Sequence, residues 1–85
     1  MENELYSNVS LSEFYKLRKG MTITEVNRIV GTTNSMIITG VYRPEYYLID
    51  ENDGLSAKIT LDFFYPNNTL SSVTITKNFI TKDLI

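Results

Sequence analysis

Two S/T-x-x-E patterns stand twelve residues apart, and beyond residue 36 the hydrophobic period changes from helical to two. Those features confine the chain to short capped helices followed by strands. Ser10-Leu11-Ser12-Glu13 reads as a capping box, with the Ser10 hydroxyl accepting from the Glu13 amide and the Glu13 carboxylate returning to the Ser10 amide. Leu11, Phe14, Tyr15 and Leu17 follow at helical spacing, and Lys19-Gly20 closes about two turns. Thr22-Ile23-Thr24-Glu25 repeats the device, with Met21 placed to staple onto Val26. Ile23, Val26, Ile29 and Val30 mark a buried stripe, and Gly31 ends the helix. Helices this short are marginal alone, so both need a surface to pack on.

The rest of the chain offers that surface. Residues 35–40 read as a first strand, 41–44 as a turn around Pro44, and 45–50 as a second strand. After the turn at 51–54, residues 56–65 form the cleanest alternation, with Ala57, Ile59, Leu61, Phe63 and Tyr65 on one side. Pro66-Asn67-Asn68 makes the next turn, and residues 70–77 the last strand, with Val73 and Ile75 inward. The tail, 78–85, carries Phe79, Ile80, Leu84 and Ile85 and either docks on the sheet edge or hangs free.

Short turns force antiparallel neighbours. The expected fold is therefore α+β: an N-terminal tail of residues 1–9, then one domain over 10–85, with two short helices on one face of a three- to four-stranded antiparallel meander.

Composition narrows the chemistry. In 85 residues there is no cysteine and no histidine, which removes disulfides, thiolate nucleophiles, imidazole bases and the usual zinc ligands. Ten acids make chance carboxylate pairs inevitable, but no partner base exists for them, so no catalytic, cofactor or metal residue is assigned. The acidic stretch 50–54 misses the spacing of a calcium loop and reads as a solvated turn. A net charge of −2 argues against nucleic-acid binding, and no apolar run approaches the ~20 residues of a membrane span. Met1 to Ser10 lacks the features of a signal peptide. An extracytoplasmic setting would require a leader or anchor ahead of it; otherwise the setting is cytoplasmic. Nine isoleucines and eight asparagines against one alanine fit an AT-rich, bacterial coding sequence, and in such a chain the sequons at Asn8 and Asn67 arise by chance.

Residues 14–31, FYKLRKGMTITEVNRIVG, resemble the helix–GMT–helix signature of the β-lactamase-inhibitor-protein-like superfamily, shared with the SmpA/OmlA (BamE) envelope lipoproteins. Ser10, Glu13, Gly20, Met21, Thr22, Glu25, Val26, Ile29 and Gly31 make up the fold signature, and each has a capping, turning or packing task. The resemblance implies binding rather than catalysis. Inhibitor members use a sheet face and loops to occlude a β-lactamase, and the lipoprotein members hold an outer-membrane assembly machine together. Inhibitors carry two units in tandem, cysteines and a Tyr/Trp-rich contact face, and lipoproteins a lipidated cysteine. This chain shows one unit and neither cysteine nor tryptophan.

If Ala57 to Phe63 face the helices, Phe64 lies on the opposite face; Tyr47 and Ile49 join it if Tyr46 and Leu48 point inward. A one-residue slip in the second strand would reverse that placement. Tyr47, Ile49 and Phe64, with Lys58 and Asp62, form the candidate protein-binding patch. The first expectation is a non-catalytic protein-binding module, possible inhibitors included. The alternative is a structural or assembly subunit that self-associates through its sheet surface. A small enzyme or carrier would instead need a concave pocket with convergent polar groups.

Overall fold

The computed structural model describes residues 9–33, 35–38 (backbone only) and 40–85. The tail up to residue 8, with Asn8 of the first sequon, and Thr39 of the first expected strand lie outside those residues. The order is α1 (Leu11–Phe14), α2 (Ile23–Val30), β1 (Ser35–Ile38), β2 (Val41–Ile49), β3 (Ser56–Phe64), β4 (Thr69–Lys77) and β5 (Ile80–Asp83). The strands form one antiparallel sheet in the order β1-β2-β3-β4-β5. Five strands replace the expected three or four because the tail pairs with β4, from Thr74↔Asp83 to Lys77↔Ile80.

The two capping boxes behave differently. At α2 the box is complete: the Glu25 amide donates to Thr22 Oγ1 at 3.2 Å, and the Thr22 amide to Glu25 Oε1 at 2.9 Å. At α1 the expected Ser10–Glu13 box is absent. Ser10 Oγ hydrogen-bonds Ser12 Oγ at 2.9 Å, and Glu13 takes Lys16 Nζ at 3.0 Å. These local partners outcompete the backbone for both side chains. The expected two turns shrink to one, followed by i→i−3 bonds from Tyr15, Lys16 and Leu17. Arg18 Nη1 then donates to the carbonyls of Tyr15 and Leu17 at 2.9 and 2.8 Å, satisfying oxygens that a longer helix would have used.

The second strand begins at Val41, four residues earlier than expected. The β2–β3 ladder pairs Val41↔Phe64 and Tyr42↔Phe63, lapses at Arg43 and Pro44, where the proline has no N–H to give, and resumes in the same register at Glu45↔Thr60. The strand continues through the lapse because it is paired with β3 on both sides of it and with β1 along Val41 to Pro44. Along β4 the buried residues Leu70 and Val73 are three apart, which period two forbids. A register shift at Asp62/Phe63 resolves this by adding one residue to β4, so Phe63 meets Leu70 while Leu61 meets Val73.

Tyr46, Leu48, Ala57, Ile59, Leu61, Phe63, Leu70 and Val73 line one buried sheet face. They share a single apolar cluster with Leu11, Phe14, Leu17, Val26 and Val30. Phe14 meets Tyr46 edge-on with ring centroids 5.1 Å apart, and the Tyr46 hydroxyl donates to the Gly31 carbonyl at 2.6 Å. Burial holds the Tyr46 phenol protonated, with its pKa pushed up to about 12.

The Gly20-Met21-Thr22 segment does more than turn and cap. The Gly20 amide donates to the Leu70 carbonyl and the Leu70 amide to the Met21 carbonyl, both at 2.8 Å, and Thr22 bridges Thr69. The segment thus supplies hydrogen bonds to the first residues of β4, where β5 does not reach, and the Leu84 amide closes on the Val73 carbonyl at 2.7 Å.

Candidate protein interface

Period two carries the alternate residues of each strand to the opposite, outer face. There the sheet presents rows across the strands: Tyr47, Lys58, Thr76, Thr81, then Glu45, Thr60, Thr74, Asp83. Tyr46 and Leu48 are buried while Tyr47 and Ile49 are exposed, so β2 has the register that places these two beside β3's outer residues. All five candidate residues, Tyr47, Ile49, Phe64, Lys58 and Asp62, share this face, but they do not form one cluster. Ile49 pairs with Ser56, and Phe64 with Val41 eight positions along β2, which separates them by about 26 Å at the rise of an extended strand.

Between those apolar ends the charged groups satisfy one another. Arg43 Nε lies 2.5 Å from Asp62 Oδ1, and Ser72 Oγ donates to Asp62 Oδ2 at 3.1 Å. The bond to Asp62 raises the Arg43 pKa further. Lys58 Nζ stands 4.0 Å from Glu45 Oε2, while the Tyr47 hydroxyl donates to Glu45 Oε1 at 3.2 Å. The Tyr47 phenol is shifted up, by desolvation first and then by the Glu45 charge. Thr76 and Thr81 share a hydroxyl contact of 2.8 Å. The surface is therefore a neutralised polar centre between two groups of aromatic and aliphatic side chains. Tyr65, expected to end the third strand on its inward side, is exposed instead, because β3 stops at Phe64 and Tyr65 falls in the turn, where it lines a cleft with Ile23 and Tyr42.

The acidic turn differs from its expectation as a solvated loop. Asp50 is only 4 % exposed. Lys77 Nζ donates to Asp50 Oδ2 and Asp53 Oδ2, each at 2.8 Å, and the Asn52 amide donates to Asp50 Oδ1 at 2.9 Å. Asp50 directly follows β2 and Lys77 ends β4, the two strands that flank β3. The Lys77 bond holds both carboxyls below their ordinary 3.8, helped by the Asn52 and Leu55 amides, while Lys77 is raised above its ordinary 10.5.

The pH window of this clamp follows from those directions. Its carboxylate contribution is complete above pH 3.8 and is lost as pH falls through the lower folded values. Its lysine contribution is complete below pH 10.5 and is lost as pH rises through the higher folded value. Urea midpoints of the wild type and Lys77→Met should differ most between those limits and converge in acid. Parallel curves at every pH would remove the clamp from the stability of the fold.

Open clefts among the described residues include two beside the sheet. One, of about 310 Å³, is lined by Ile23, Gly40, Val41, Tyr42, Tyr65 and Asn68, none of them charged. The other, of about 240 Å³, lies at the β4–β5 end beside Lys77. Among the described residues, no group of three or more acids is placed to hold a metal ion, and no helix is long and apolar enough to cross a membrane. Comparison with protein-family models, with curated proteins and with solved structures finds no match to this chain.

Proposed function

We propose that the chain is a non-catalytic protein-binding module of the β-lactamase-inhibitor-protein-like architecture, its helices covering one sheet face and its outer face meeting a partner protein. The observation that carries the reading is the exposure of Tyr47, Ile49 and Phe64 on a face whose central charges, Arg43 with Asp62 and Lys58 with Glu45, are paired among themselves. Paired charges need no partner to satisfy them and present no single-sign field, so an arriving protein gains from aromatic and aliphatic burial at the two ends. The displaced pKa values of Arg43, Asp50, Asp53 and Lys77 arise from ion pairs within the fold, which supports a structural rather than a catalytic use of those groups. The GMT segment supports the architecture, since its Gly20, Met21 and Thr22 fasten the helical region to β4.

The test uses the double variant Tyr47→Ala/Phe64→Ala. Both side chains are exposed, so the fold should keep its stability within about 0.5 kcal/mol per site. Immobilised wild type and variant are exposed to lysate of the source organism, and retained proteins are quantified. A protein held by the wild type should be retained at least about tenfold less by the variant, the loss of ~1.4 kcal/mol or more typical of anchor residues. Equal retention on both would remove this face from the function.

A further inference from the structure

The β4–β5 hairpin closes through Asn78 and Phe79, which have φ of 51° and 66°. Two central residues with positive φ are what a two-residue type I′ turn requires, and such turns favour asparagine first and glycine second. Phe79 holds the glycine position, in a backbone region that bulky side chains rarely adopt. It is also 102 % exposed, so its ring buries nothing within its own fold. Neither backbone preference nor packing in the monomer accounts for phenylalanine here. Local rules broken without compensation in the monomer point to a task outside it.

The neighbouring surface supplies a receptor. The cleft of about 240 Å³ is lined by Leu55, Ile75 and Ile80, with Asp53, Lys77 and Lys82 at its polar positions. Leu55 and Ile80 are themselves exposed. A cavity of roughly 150 Å³ is enough to take up benzene, so a phenyl ring fits. Protrusion and cleft lie side by side on one surface, the arrangement that two-fold pairing of identical patches uses. The charges are also self-compatible. Lys77 is paired with Asp50 and Asp53, a group one charge negative, and Lys82 on the same cleft supplies one positive charge. A second copy therefore meets no excess of like charge here.

We propose that this end of the molecule forms a symmetric homodimer in which Phe79 of each copy occupies the cleft of the other. Two such side chains bury about 300–500 Å² in all, below the ~1,200–2,000 Å² of stable complexes, so the association is weak and concentration-dependent. It uses a surface separate from the outer-face patch and leaves that patch free.

Sedimentation equilibrium from about 10 µM to about 1 mM tests this, a range spanning the weak affinities expected of so small an interface. The wild type should rise from the monomer mass of 9.8 kDa toward twice that value. Phe79→Gly should stay monomeric, and should melt within a few degrees of wild type because glycine suits the turn. Ile80→Glu, which puts a charge into the cleft wall, should weaken the dimer at least about tenfold. Tyr47→Ala/Phe64→Ala should dimerise as the wild type does, which separates this proposal from the outer-face reading. A wild type monomeric throughout, or a Phe79→Gly protein that dimerises unchanged, overturns it. So does a clearly lower melting point for Phe79→Gly, or a dimer abolished by Tyr47→Ala/Phe64→Ala.

Discussion

Phe14→Ala is expected to cost about 3–5 kcal/mol, the range for truncating a fully buried aromatic. A chain of this length has about 4–12 kcal/mol of stability in total, so the variant should be largely unfolded at its low end and populate both states in modest urea at its high end. The size of the effect follows from how little else holds this segment. The α1 helix is one turn, too short to persist alone, and its capping box is missing. Phe14 and Leu17 are wholly buried, and the Phe14 ring stands edge-on to Tyr46 in the sheet. Losing the ring leaves a cavity at the junction of helix and sheet and removes an aromatic pair contributing about 0.5–1.5 kcal/mol beyond its area. Tyr15→Ala, at an exposed neighbour, is the control and should stay within about 0.5 kcal/mol. Urea titration of both variants measures the contrast. A loss below about 1 kcal/mol for Phe14→Ala would mean that α1 is not fastened through this ring.

What could be read along the chain, and what could not, divides by whether the information is local. The Thr22–Glu25 box could be read because both of its partners lie within the motif and an eight-residue amphipathic stripe follows it. The same four-residue pattern failed at Ser10, where Ser12 and Lys16 offered the side chains other partners. The alternation through β3 was legible up to Phe63, whereas the facing of Tyr46 and Leu48 stayed open along the chain, because it is decided by the pairing of β2 with β3. Pro44 misled because a strand can lose one ladder bond and continue in the same register when both neighbouring strands hold it on either side, and those neighbours are not local to the proline. β5 was hidden because its turn lacks the glycine that marks a two-residue hairpin.

The Lys77 clamp shows the same limit in the candidate site. The stretch 50–54 reads as a solvated turn along the chain, because a run of acids before a glycine gives no sign of a lysine held 27 residues away. The pairing depends on the register of three strands. The outer patch was legible as a set of residues on one face. Its division into two ends, with a self-satisfied polar centre, was not, because distance along a strand matters only once the strand lengths are known.

Gly31→Ala is expected to cost about 1–3 kcal/mol, and the reason is confined to the backbone. Gly31 has φ 76° and ψ −179°, a region essentially reserved for glycine. An added Cβ would meet nothing within 4 Å, so no steric contact with the rest of the fold enters the effect. At an ordinary backbone position the same change would stabilise by about 0.4–1 kcal/mol, through the unfolded chain, so even the sign is diagnostic. The conformation matters because both polar groups of this residue are engaged. Its amide donates to the Asn27 carbonyl at 2.9 Å, ending α2, and its carbonyl accepts from the Tyr46 hydroxyl at 2.6 Å. An alanine that relaxes toward negative φ must give up at least one of those bonds. Tyr46→Phe alone should cost about 1 kcal/mol for the lost hydrogen bond. If Gly31→Ala has already displaced the carbonyl, the double variant should fall short of the sum by about 0.5 kcal/mol or more, measured by urea midpoints of all four proteins. Strict additivity would show that the strained peptide stays in place and that the strain alone accounts for the loss. A neutral or stabilised Gly31→Ala would mean that this glycine is not held in its left-handed geometry, and that the α2 end and the Tyr46 hydroxyl are not coupled through it.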